Sequence, residues 1–118
     1  MRQNEPLYVI SVAARLLELH PQTLRKYERE GFVSPSRTTG NLRLYSADDL
    51  ERLRQVKYLV EGRGINLSGV QLAMEVSWRL QRLREELQQI SKRNSGGLDH
   101  LVGEVDDLLN KLGIPPED

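Results

Sequence analysis

The chain has 118 residues, and its 17 Lys and Arg balance its 17 Asp and Glu, so the formal net charge at pH 7 is zero. It contains no cysteine, which excludes disulfides and thiolate metal sites. No stretch of 18 apolar residues is present and no apolar segment of signal-peptide length follows Met1 to Pro6, so no membrane contact and a cytoplasmic location are expected. The neutral total hides an asymmetry. Residues 1–65 hold eleven Lys and Arg against eight Asp and Glu, whereas residues 66–118 hold six against nine. A basic first half suits a nucleic-acid face, and the acidic second half suits another partner.

Pro6 to Ile10 reads as a short extended lead-in, with Tyr8 and Ile10 alternating. Ser11 can cap a first helix, whose core face is Val12, Ala13, Leu16 and Leu17. Ala13 and Ala14 are small enough to let a second helix come close. Pro21 suits the first turn of that helix, Leu24 is its buried anchor, and Gly31 stops it before Phe32 and Val33 return to the core. Gln22, Thr23, Arg25, Lys26 and Arg29 occupy its other faces. Residues 37–45 alternate loosely around Thr38-Thr39-Gly40-Asn41, a hairpin turn in which Gly40 and Asn41 tolerate positive φ.

Ser46 caps a third helix, with Asp48 and Asp49 in its first turn and Leu50, Leu53, Val56 and Val60 along one side. Gly62 and Gly64 break it. Asn66 or Ser68 starts a fourth helix, with Val70, Ala73 and Met74 on its apolar face. From there Val76, Leu80, Leu83, Leu87 and Ile90 recur at heptad spacing, a seam for pairing helices that is too short to be stable alone. Asn94-Ser95-Gly96-Gly97 ends it. A last helix carries Leu98, Leu101, Val102, Val105, Leu108, Leu109 and Leu112 on its apolar face, with Asp99, Glu104, Asp106 and Asp107 opposite. That helix can fold back on the seam, cap a second subunit or meet another protein.

The chemistry lies in the first half. Two short helices joined by a tight turn, then a basic ribbon with Arg37 and Arg43, are the parts of a major-groove reader with an accessory wing. No nucleophile–base set, paired catalytic carboxylates or phosphate loop is visible, so no enzyme is expected. His20 and His100 are isolated, so no metal or other cofactor is expected.

The segments His20-Pro-Gln-Thr-Leu-Arg-Lys-Tyr-Glu, Gly31-Phe-Val, Arg43-Leu-Tyr-Ser and Asp49-Leu-Glu-Arg-Leu resemble the MerR superfamily of winged-helix transcription regulators. Leu7 to Arg15 and Gly64-Ile-Asn-Leu-Ser-Gly-Val resemble its HspR group of heat-shock repressors most. The resemblance implies a mainly α fold: a winged helix-turn-helix DNA-binding domain with a small two-stranded wing over residues 7–75, an antiparallel coiled-coil dimerisation helix over 76–94, and a short amphipathic acidic helix over 98–112. It implies a homodimer on an inverted repeat in double-stranded DNA, nucleoid-associated, repressing chaperone genes with an Hsp70-type chaperone (DnaK) as co-repressor.

The DNA contacts expected on this basis are Ser11, Gln22, Thr23, Arg25, Lys26, Tyr27, Arg37, Arg43, Tyr45, Lys57 and Asn66. Tyr45 can either pack under the wing or offer its hydroxyl to phosphate, and Asn66 can cap a helix or touch phosphate. Lys26 stands where the family often has an aromatic, and Asn41-Leu42 where it often has Gly-Tyr. The dimer contacts expected are Val76, Leu80, Leu83, Leu87 and Ile90, with Trp78 beside them, packed either on the second subunit or in its own core. A chaperone-binding relative without DNA binding and a small-molecule-responsive regulator are the alternatives.

Overall fold

The computed structural model describes residues 3–116, which are mainly helical with one small sheet. The chain divides into two compact units, Met1–Lys57 and Tyr58–Asp118.

The first unit runs β1 (Tyr8–Val9), α1 (Ile10–Leu17), α2 (Pro21–Arg29), β2 (Ser36–Arg37), β3 (Arg43–Tyr45) and α3 (Ala47–Lys57). Its sheet has three strands in the order β1-β3-β2, both pairs antiparallel. The wing expected with two strands thus gains a third. The lead-in lies along the outer edge of β3, and the Leu7 amide donates to the Tyr45 carbonyl at 3.0 Å, so backbone groups that an open edge would leave unpaired are used.

Because β1 runs straight into α1, the helix begins before Ser11. Val9 is the N-cap and gives no side-chain cap, so Ser11 is a residue of the first turn and not the cap expected from sequence. Ala13, Ala14 and Leu17 are buried while Leu16 is 49% exposed, a correction that turns the apolar face by one position. The two alanines give α1 the slim face on which α2 packs, and α1 also meets α3 and the sheet. Glu18 closes α1 in the left-handed region at φ 54°, and the Leu19 amide reaches back to the Ala14 carbonyl at 2.9 Å.

His20 then caps α2: its Nδ1 accepts the Gln22 amide at 3.0 Å, and Pro21 takes the first helical position, where no amide is needed. After Arg29 the chain leaves through Gly31 at φ 84°, and Phe32 and Val33 enter the core as expected. The hairpin closes with the Asn41 amide on the Thr38 carbonyl (2.9 Å) and Asn41 at φ 64°; Gly40 is not in the left-handed region. This is a turn followed by one left-handed residue, a common hairpin solution.

A reciprocal cap starts α3. Ser46 Oγ accepts the Asp49 amide at 3.0 Å, and Asp49 Oδ2 accepts the Ser46 amide at 2.9 Å. Leu50, Leu53 and Val56 join Leu24, Tyr27, Phe32, Val33 and Tyr45 in the core. Arg52 donates through Nε to the Phe32 carbonyl, fastening α3 to the segment after α2.

In the second unit a π-helical turn spans Tyr58–Gly62, with the Arg63 amide on the Tyr58 carbonyl at 3.0 Å. It interrupts the regular spacing on which the placement of Val60 rested, and Leu59 is buried where Val60 is half-buried. Helix α4 (Leu67–Arg93) is 27 residues long and is capped by Asn66, whose Oδ1 accepts the Gly69 amide at 2.8 Å. Val70, Ala73, Met74 and Ser77 are buried along its first turns. A turn with Ser95 and Gly96 at positive φ leads to α5 (Asp99–Lys111), which folds back on α4. Ser91 accepts the Leu98 amide at 3.0 Å and donates to Asp99 at 2.7 Å, and Arg84 pairs with Asp106 further along. Val102, Val105 and Leu109 fill this helical hairpin; Leu108, expected with them, is exposed. Trp78 is 52% exposed and carries the Arg82 guanidinium 4.9 Å from its ring centre, so it does not fill a core of its own chain.

Candidate nucleic-acid interface

Helix α2 buries Leu24 and Tyr27 and turns Gln22, Lys26 and Arg29 outward, with Thr23 and Arg25 at its half-exposed margins. The burial follows from the 3.6-residue period, which puts 24 and 27 on the core side and 22, 25, 26 and 29 on the other. Arg25, Lys26 and Arg29 enter no ion pair among the described residues. The outward stripe is therefore an uncompensated cationic one, opening on a Gln and a Thr at the helix N-terminus. Arg29 was not among the residues expected at the site; its place one full repeat after Gln22 is the signal that could have found it.

Tyr27 does not belong to that stripe. Its ring is buried and lies 5.8 Å from that of Phe32, tilted by 55°, so it packs in the core. Tyr45 is fully buried, as its packing reading expects. Burial, and then the nearby Glu28 charge, push its phenol above the usual value of 10.0.

The two wing arginines are not free. Arg37 Nη2 reaches Glu28 Oε2 at 2.8 Å and Arg43 Nε reaches Glu28 Oε1 at 2.6 Å, which joins the wing to α2. Burial alone would raise the Glu28 pKa, but hydrogen bonds from Arg43 and Arg37, together with their charges, hold the carboxyl below its ordinary range. Arg37 also donates to the Asn41 carbonyl at the wing tip (3.4 Å). Sequence reasoning missed Glu28, since nothing in a linear pattern places residue 28 between residues 37 and 43.

Lys57 is committed as well. Its ammonium donates to the Leu17 carbonyl at 2.9 Å, satisfying an orphan acceptor at the end of α1. Ser11 is exposed at the start of α1. Asn66 lies in the second unit, where its side chain is spent on the α4 cap. Among the described residues no cluster of three His, Asp or Glu could hold a metal, and no helix is long and apolar enough to cross a membrane.

A profile of MerR HTH family regulatory proteins matches residues 8–76, which covers α2, the wing and the start of α4. A Streptomyces coelicolor protein named as heat shock protein HspR is 46% identical over 96 residues, 81% of this chain and 64% of that protein, so the chain spans less than two thirds of that relative's length. The HTH-type transcriptional regulator GlnR of Bacillus anthracis is 35% identical over 94 residues, 77% of this chain and 72% of its own length. The HTH-type transcriptional regulator YfmP of Bacillus subtilis is 39% identical over 77 residues, 64% of this chain and 55% of that protein. The GlnR and YfmP relatives are named as transcriptional regulators. An exposed cationic helix beside an arginine-bearing wing, in a segment that a regulator profile matches along its length, places this chain in the MerR family of helix-turn-helix regulatory proteins.

Proposed function

We propose that the chain is a dimeric, sequence-specific DNA-binding repressor of heat-shock genes. The observation that carries the DNA reading is the uncompensated outward stripe of α2. In this reading Gln22, Thr23 and Arg25 read base edges in the major groove, where a guanidinium can fork onto guanine. Lys26 and Arg29 hold phosphates, the exposed part of Arg37 adds a wing contact, and Ser11 offers a hydroxyl or amide to the backbone. Residues 7–75 form the DNA-binding domain, 76–94 the dimerising segment and 98–112 the helix that braces it.

Pairing is supported by the seam on α4. Val76, Leu83 and Ile90 are exposed, and Leu80 and Leu87 half-exposed, although α5 already covers another side of the helix. Two-fold pairing sets two α2 helices on successive major-groove faces of an inverted repeat. The heat-shock assignment rests on likeness to the Streptomyces protein, and an Hsp70-type co-repressor belongs to the same proposal.

The test is to incubate purified protein with fragmented genomic DNA and sequence what it retains, with and without the chaperone. An inverted repeat upstream of chaperone genes is expected. A repeat upstream of other genes overturns the heat-shock assignment alone, and retention of nothing at low salt in both conditions overturns DNA binding.

A further inference from the structure

Arg37 and Arg43 stand directly opposite each other on β2 and β3. Like charges in that position on antiparallel strands repel. The sheet keeps them there because Glu28, arriving from α2, sets one carboxylate oxygen on each at 2.8 and 2.6 Å. Arg37 passes the connection on to the Asn41 carbonyl, so a continuous set of polar contacts runs from the helix to the wing tip. The trio carries a net charge of one rather than two, whereas the cations of α2 itself are uncompensated.

Attraction of cations to phosphate is independent of sequence. Two free arginines on a loose wing would pull any duplex as strongly as the right one. Two arginines held by a carboxylate offer a weaker pull in a fixed orientation relative to α2, which favours the duplex whose bases also fit the helix. We propose that Glu28 is a specificity-determining positioning residue of the DNA interface, trading non-specific phosphate affinity for a fixed wing. The proposal rests on the DNA-binding reading above; Glu28 acts through Arg37 and Arg43 rather than by touching DNA.

The experiment compares wild type, Glu28→Gln and Glu28→Asp by fluorescence anisotropy. The probes are the duplex recovered in the genomic selection and a scrambled duplex of equal length and composition, titrated at several salt concentrations. Melting temperature is recorded alongside. Glu28→Gln, which keeps the shape and removes the charge, is expected to bind the scrambled duplex more tightly and to narrow the gap between the two probes. Freeing one further cation per protomer should enlarge the affinity ratio between about 50 mM and about 200 mM salt by about 3.5-fold per protomer. Glu28→Asp should restore the wild-type slope. A Gln variant with the wild-type slope on both duplexes overturns the proposal. So does a Gln variant that loses both duplexes together with its melting transition while Asp recovers both, since that is a structural role only. Wild-type protein that binds neither duplex would instead sink the DNA reading on which the proposal stands.

Discussion

Arg43 donates through Nε to Glu28 Oε1 at 2.6 Å, and this bond ties the third strand of the sheet to the exposed helix nine residues long that precedes it. Its pH dependence follows from the depressed Glu28 pKa. The native carboxyl binds its proton less readily than the unfolded one, whose ordinary value is 4.5. The stabilisation is therefore complete above about that pH and is lost as pH falls through the lower native value. Glu28→Gln should be less stable at pH 7 by about 1 kcal/mol, and the wild-type and variant melting temperatures should converge as the solution is acidified below the ordinary carboxylate range. Parallel curves in acid would show that the pair adds nothing to stability.

Tyr45 makes a different prediction because its hydroxyl is buried without a hydrogen-bond partner among the described residues. An unsatisfied buried hydroxyl costs free energy, so Tyr45→Phe should leave stability unchanged or raise it by up to about 1 kcal/mol. Affinity for DNA should not change. A tenfold weaker DNA titration for the Phe variant would mean that the hydroxyl reaches a phosphate after all.

The sequence was informative where local rules act alone. Leu24, the Ser46–Asp49 cap, the Asn66 cap and the helix period of α2 each depend on residues within a turn or two, and each is in place. Tertiary competition decided the rest. Ser11 lost the cap because β1 formed against β3, a pairing across some 35 residues. Tyr27, Lys57 and the wing arginines carry the residue types of a DNA interface, but Tyr27 is drawn into the core, Lys57 to the α1 carbonyl and the arginines to Glu28. Type and order identified the reader; the free or committed state of each cation needed the fold.

Glu18 occupies the left-handed region that closes α1, a conformation that strains residues with a Cβ. Glu18→Gly should remove that strain and stabilise the first unit by about 1 kcal/mol, read as a higher melting temperature. The side chain is exposed, so no packing is lost. A lower melting temperature would show that the gain is outweighed by the freedom glycine adds to the unfolded chain.

Arg25 should separate base reading from phosphate contact. Arg25, half-exposed on α2 and in no ion pair among the described residues, should cost about 1–3 kcal/mol of binding to the recovered duplex when changed to Ala if it forks onto a base. Its effect on a scrambled duplex should be small. Equal losses on both duplexes would assign Arg25 to phosphate instead.

The exposed side of α4 gives the sharpest test of pairing. Leu83 and Ile90 are 45% and 42% exposed and lie seven residues apart, on a face that α5 leaves open. A single glutamate there meets no core, so Leu83→Glu should keep its helicity and melting transition while two chains brought together along the seam would bury the new charge and separate. Val105, buried in the α4–α5 hairpin, supplies the control, because Val105→Glu should unfold the second unit outright. Sedimentation is expected to find wild type as a dimer and Leu83→Glu as a folded monomer. On an inverted repeat the monomer should bind much more weakly, yet a single half-site should be bound as well as by wild type. A Leu83→Glu protein that still sediments as a dimer would move the pairing surface off this seam.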